Sequence, residues 1–185
     1  SPQVDEANAE YQPDAKPGML INTVTGELYG GKDGVQFVPC AFQRRFLHWG
    51  PGSTGGFMGE LTPEDVAAMR EDGDVVQIEG EGLLIQSDDI EFNKMSRKVW
   101  EHLSDTRSHF GLLIRPDGTT SKVILTLSST QIKKSKRIMS LLSELRIEAS
   151  GRKVCPPTFL SILRLTTAIE SNDEGSWHGV NAAHD

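Results

Sequence analysis

Two stretches of this chain carry residue types that could bind a ligand. In Val35 to Trp49, VQFVPCAFQRRFLHW, aromatic and cationic side chains interleave. Side chains alternate along a strand, so Phe42, Arg44, Phe46 and His48 share one face and Arg45, Leu47 and Trp49 the other. A core strand rarely carries two adjacent arginines at its centre, so at least one face should be wet. In Ser121 to Arg146, SKVILTLSSTQIKKSKRIMSLLSELR, an alternating apolar strand runs into a basic amphipathic helix. Its apolar arc is Ile132, Met139, Leu142, Ile138 and Leu145; Lys133, Lys136, Arg137 and, at the edge, Lys134 lie opposite. Arg164 and Trp177 complete the candidate set. Rings beside cations are what single-stranded nucleic acid needs: bases stack at about 1–3 kcal/mol each while phosphates follow a basic groove. Each candidate also has a plainer reading, with Trp177 as a core plug and the helix cations as an ordinary solvated face.

Catalytic patterns are missing from the sequence. There is no G-x-S-x-G, no H-E-x-x-H and no recognisable Cys–His setting. Cys40, His48, Cys155 and His178 contain no pair at zinc-ligand spacing. Asp88, Asp89 and Glu91 read as a solvated loop and not as a two-metal site. Asn172 to Gly175 lacks the alternating ligands of a calcium loop. GPGSTGGFMG at 50–59 has no lysine after its glycines, so it reads as a flexible loop instead of a phosphate cradle. The expectation is a non-catalytic protein with no metal and no cofactor.

The elements that must position these residues follow from turn chemistry. Residues Ser1 to Pro17, acidic and proline-bearing, read as a flexible arm. MLINTVTGELY holds a strand with a bulge or tight hairpin at Thr25-Gly26, and GGKDG at 30–34 is a turn. Pro39 should force a bulge or an edge position. Thr62-Pro63-Glu64-Asp65 starts a helix that Gly73 ends. Val75 to Ile85 is a strand pair around EGEG, and Asp88 to Leu103 a second helix or an irregular segment. FGLLI at 110–114 and KVILTL at 122–127 flank the hairpin turn Pro116-Asp117-Gly118. Ser128 with Gln131 looks like a capping box at the start of the basic helix. After Pro156-Pro157, Thr158 to Glu170 reads as one long strand, turning at Asn172 to Gly175. Residues 181–185 are expected as a tail.

Composition bounds the function. The 185 residues carry a formal net charge of −7, 37% hydrophobic and 24% charged side chains, 18 glycines and 9 prolines. This fits one strand-rich globular domain over residues 18–180. No run of 18 apolar residues is present, which argues against a membrane-spanning helix. The acidic balance argues against coating duplex DNA by bulk charge, yet it allows a local basic groove. With only Cys40 and Cys155, free buried thiols in a reducing compartment are expected.

The runs LTLSSTQIKKSKRIMSLL, LRLTTAIESNDEGSWHG, INTVTGELY and VPCAFQRRFLHW resemble proteins encoded near replication genes in tailed-bacteriophage genomes, among them single-stranded DNA-binding proteins. The resemblance spans about Gly18 to Gly179. It implies an OB-fold-like Greek-key β-barrel, mainly β with α, with the basic helix between late strands and a helical insertion at about 60–105. It also implies binding of single-stranded DNA in replication or recombination, in the cytoplasm of an infected bacterium. Replication proteins of phage or host, or further copies of the chain, would be its partners. Phage single-strand binders often end in an acidic tail, whereas this chain ends HGVNAAHD. A different class of function, a phage structural or assembly protein using the same surface for protein contacts, stands beside it; a host-enzyme inhibitor is a third.

Overall fold

The computed structural model describes residues 11–52, 55–86, 96–173 and 175–185. Its hairpins grow from the turns read above. The Asn22 side-chain carbonyl accepts from the N–H groups of Val24 and Thr25, at 3.1 and 3.3 Å, and Gly26 takes a φ of 73°. That turn joins β1 (Leu20–Ile21) to β2 (Leu28–Tyr29). Next come β3 (Val35–Trp49), β4 (Phe57–Leu61), α1 (Pro63–Asp72), β5 (Val75–Ile78) and β6 (Gly82–Ile85). β7 (His102–Ile114) and β8 (Thr120–Ser128) close around Pro116-Asp117-Gly118, where Arg115 N–H donates to the Thr119 carbonyl at 2.8 Å. The chain ends with α2 (Ile132–Glu144), β9 (Ile147–Ala149), β10 (Arg152–Val154), β11 (Leu163–Asn172) and β12 (Gly175–His184).

Among the described residues the class is α+β, mainly β with two α-helices. Hydrogen bonding orders the main sheet β12-β11-β3-β7-β6-β5, with β4 added on β3 and β8 on β7. β12 and β5 end that order without pairing to each other, so the sheet is open. The closed barrel expected from the resemblance does not form among the described residues. Strand length gives the reason: β3 and β7, at 15 and 13 residues, each take three partners along their length and extend the sheet sideways. Pro39, with no N–H to give, lies between the part of β3 that β11 pairs (Val35–Phe37) and the part that β4 pairs (Phe46–Trp49).

Contacts divide the chain into two compact units. One contains the described residues up to Phe42, His109–Leu125 and Lys133–Asp185. It buries Val35 and Phe37 of β3, Leu113 of β7, Ile138 and Leu142 of α2, Leu163 and Leu165 of β11 and Ala182 of β12. The predicted apolar arc of α2 thus faces inward, with Ser135 on the same arc accepting or giving a 2.8 Å hydrogen bond to buried His109. The cap differs from expectation. Ser128 makes no side-chain cap bond, because a 3₁₀ turn at Ser129–Gln131 intervenes and α2 begins only at Ile132.

In the same unit Glu27 accepts from Arg115 Nε at 2.5 Å and Nη2 at 3.1 Å, and from the Thr25 hydroxyl at 2.8 Å. Chiefly the Arg115 guanidinium, then the Thr25 hydroxyl, holds the Glu27 carboxyl at about 2, against an ordinary 4.5. A carboxyl lowered in the folded state stabilises above its unfolded pKa and loses that contribution as pH falls toward the folded value. The stability difference between the parent and Glu27→Gln should therefore be present at pH 7 and vanish between pH 4.5 and about 2. Thermal melts across that range read it; a difference independent of pH would refute the pairing.

The other unit contains the described residues of Gln43–Ser108 with Thr126–Ile132. Its core joins Phe46, Val66, Val75 and Leu103, with Leu61, Met69, Leu83 and Ile85 packed around them. Here the predicted helix start is complete. Asp65 N–H donates to Thr62 Oγ1 at 3.1 Å, Thr62 N–H donates to Asp65 Oδ2 at 2.8 Å, and Pro63 occupies the first turn. Gly73, at φ 88°, closes the helix as a left-handed cap.

Several expectations are corrected. The 60–105 segment is not a covering insertion, since β5, β6 and the start of β7 join the main sheet. Of the second helix expected over Asp88 to Leu103, residues 87–95 lie outside the described residues, Ser96 to Trp100 form turns, and His102 opens β7. The glycine-rich loop ends early, because Phe57 already pairs with Trp49. Thr158–Leu160 is a 3₁₀ turn, so the strand after the two prolines starts at Leu163. Residues 181–185 are no tail: β12 runs to His184, and Asp185 is bonded to Arg164 and Gln36. Of the N-terminal arm, Tyr11 to Pro17 form turns, with Ala15 N–H donating to the Gln12 carbonyl at 3.0 Å. Both cysteines are free as expected, but exposed and not buried.

Candidate functional site

The interleaved face of β3 resolves into paired and packed side chains. Arg44 grips Asp105 of β7 with both arms of its guanidinium, Nε to Oδ1 at 3.0 Å and Nη2 to Oδ2 at 2.8 Å. Its carbon Cζ lies 4.8 Å from the centre of the Phe46 ring, and Arg107 Nη2 stands 3.6 Å from the same Asp105 carboxylate. A bidentate pair of this kind uses the fork that would otherwise clasp a phosphate. Phe46 is 5% exposed and belongs to the core cluster, so its ring cannot stack on a base. His48 shares a 2.7 Å hydrogen bond with Glu101. Arg45 Nη1 donates to the Arg44 carbonyl at 3.1 Å.

Three aromatics of the set keep accessible surface: Phe42, Trp49 and Trp177. Trp49 meets Phe57 edge-on, centres 5.6 Å apart, where β4 pairs with the end of β3. Phe42, in the other unit, tilts against the buried His109 ring at 5.0 Å. Phe42 and Trp49 therefore fall in different units.

Two of the late candidates, Lys134 and Trp177, converge on one carboxylate. Glu170 of β11 forms an ion pair with Lys134 and accepts from the Trp177 indole N–H at 3.2 Å; Lys134 Nζ also donates to Asn181 Oδ1 at 2.9 Å. Glu170 and Trp177 are direct cross-strand partners, which explains their meeting. Arg164 is tied to Asp185, with Nη2 to Oδ2 at 3.0 Å, and donates to the Asp33 carbonyl at 3.2 Å. Asp185 raises the Arg164 pKa further, and Arg164 lowers that of Asp185. Three predicted cations remain exposed with no acidic partner among the described residues: Lys133, Lys136 and Arg137 on α2.

Surface features that the sequence reading missed are apolar. Phe57 and Met58 on β4 are more than half exposed, and so are Phe159 and Leu160. Ile147 and Val154, directly opposed across β9 and β10, are exposed as well. One signal was available. On a strand, neighbours point to opposite faces, so the adjacent Phe159 and Leu160 could not both have faced one core. Among the described residues no group of three or more His, Cys, Asp or Glu side chains is arranged to hold a metal ion. No helix there is long and apolar enough to cross a membrane. Asp88, Asp89 and Glu91 lie outside the described residues.

A family model described as Pam3 phage gp34-like protein matches residues 1–185. No curated protein matches, and no solved structure does. With the whole length matched, this chain belongs to the Pam3 phage gp34-like protein family and is a bacteriophage protein.

Proposed function

We propose that this phage protein is a non-catalytic component of particle structure or assembly, working through protein–protein contacts with another subunit of the phage particle. The observation that carries this reading is the exposed apolar segment after the two prolines. Phe159 is 56% exposed, Leu160 60% and Ile162 41%. Contiguous apolar surface left in water marks a surface that another protein covers, and each such side chain gains roughly 25 cal/mol per Å² when covered. The segment is also held in shape. Leu160 N–H donates to the Pro157 carbonyl and Ser161 N–H to that of Thr158, both at 3.0 Å, and Ser161 itself is buried. A preformed apolar knob loses little conformational freedom on docking.

The alternative, sequence-tolerant single-stranded DNA binding in replication or recombination, keeps as support the accessible rings of Phe42 and Trp49 and the cations Lys133, Lys136 and Arg137, which have no acidic partner among the described residues. It has lost Phe46 to the core and Arg44, Lys134 and Arg164 to carboxylates. Fluorescence anisotropy of a labelled oligo-dT, with duplex competitor and across salt, separates the two. The assembly reading expects no preference for the single strand. Tight, strand-selective binding whose logarithm falls with log salt at about 0.7 per phosphate contacted would favour the DNA reading.

A further inference from the structure

The charge of this chain is not evenly spread. Within α2 the cations Lys133, Lys134, Lys136 and Arg137 stand against one acid, Glu144. From Glu60 to Glu81 the balance reverses: Glu60, Glu64, Asp65, Glu71, Asp72, Asp74, Glu79 and Glu81 stand against Arg70 alone. The basic turn belongs to one compact unit and the acidic stretch to the other. Both are exposed. Lys133, Lys136 and Arg137 on one side and Glu64, Glu71 and Asp72 on the other make no ion pair among the described residues.

We propose that α2 of one copy docks, through Lys133, Lys136 and Arg137, on the acidic outer face of α1 in a second copy of this chain. The inference deepens the protein–protein reading above and rests on it. The fit is one of charge and of shape. At 1.5 Å per residue the three cations occupy about 6 Å of helix, whereas Glu64 to Asp72 spans about 12 Å. Between those acids Asp65, Ala67, Ala68 and Arg70 are exposed, and at about 100° per residue the two alanines fall on the same side of the helix as Glu64 and Glu71. Small side chains at that point let a second helix lie close, toward the short end of the 8–10 Å range of helix spacings. Lys134 and Asp65 are not needed for the contact. One is paired with Glu170, the other caps α1.

Donor and acceptor faces differ, so the contact is head to tail. Each copy offers one basic helix and one acidic helix, and a row of copies closes into a ring or runs on as a filament. Attraction between exposed charges is screened over about 10 Å at 0.1 M salt and about 3 Å at 1 M. Assembly should therefore be favoured at low salt and reversed at high salt.

Sedimentation velocity of the full chain at several concentrations and salts tests this. The parent should associate at low salt and sediment as a monomer at 1 M. Lys136→Glu with Arg137→Glu should be monomeric at low salt. So should Glu71→Lys with Asp72→Lys, which puts cations at a helix C-terminus where the dipole tolerates them. Mixed in equal amounts, the two reversed proteins should associate again, since each supplies the charge that the other lacks. Recovery in the mixture rules out misfolding as the cause of the single losses. A parent that is monomeric at low salt, reversals that leave association intact, or a mixture that stays monomeric would each overturn self-docking. None of these would touch the apolar knob at Phe159 and Leu160, whose role is read separately from its incorporation into particles.

Discussion

Phe46→Ala is expected to lower stability by about 3–5 kcal/mol, the range for truncating a buried aromatic. The ring is 5% exposed and joins β3 to α1, β5 and β7 through Val66, Val75 and Leu103. Its removal leaves a void that those neighbours fill only in part. The Arg44 guanidinium also loses the ring face 4.8 Å away, while keeping Asp105. For a chain of this length each kcal/mol moves Tm by about 2–4 °C, so a fall of roughly ten degrees is expected. Had the ring been a base-stacking platform, the same change would have left Tm alone. Thermal unfolding followed by circular dichroism reads the difference, and an unchanged Tm would remove Phe46 from the core.

Phe159→Ser with Leu160→Ser should do the opposite. Both side chains are exposed in the isolated chain, and the turn that carries them is held by backbone bonds to Pro157 and Thr158. Tm should hardly move. Anchoring apolar residues at a protein interface contribute about 2 kcal/mol or more each, and 2 kcal/mol corresponds to about a 30-fold change in affinity. Incorporation of the double variant into particles, in an infection complemented with it, should fall by well over tenfold. Normal incorporation with an unchanged Tm would show that this surface is not the docking surface.

What the sequence made legible was mostly local. Asn22 to Gly26, Pro116 to Gly118, Thr62 to Asp65 and the apolar arc of α2 are governed by turn, cap and periodicity rules acting within a few residues, and each is found in the structure. Partnership across the chain was not legible. Arg44 and Asp105 are 61 residues apart, and Lys134 and Glu170 are 36 apart by their numbering; no local pattern announces either pair. A cation read alone looks free, so the sequence overstated the charge available to an anionic ligand. Sheet closure was illegible for a similar reason. The chain shows strands and turns, but which strands take three partners depends on their full length, and β7 began eight residues before the FGLLI run that suggested it.

The central claim is that this is a working part of the particle or of its assembly, held there by protein contacts. Quantitative mass spectrometry of purified particles and precursor particles, from the phage that encodes the chain, tests it most directly. The account predicts the chain in one or both, at a fixed copy ratio to the other particle proteins. Its absence from both, with abundant chain free in the infected cell, would contradict the account.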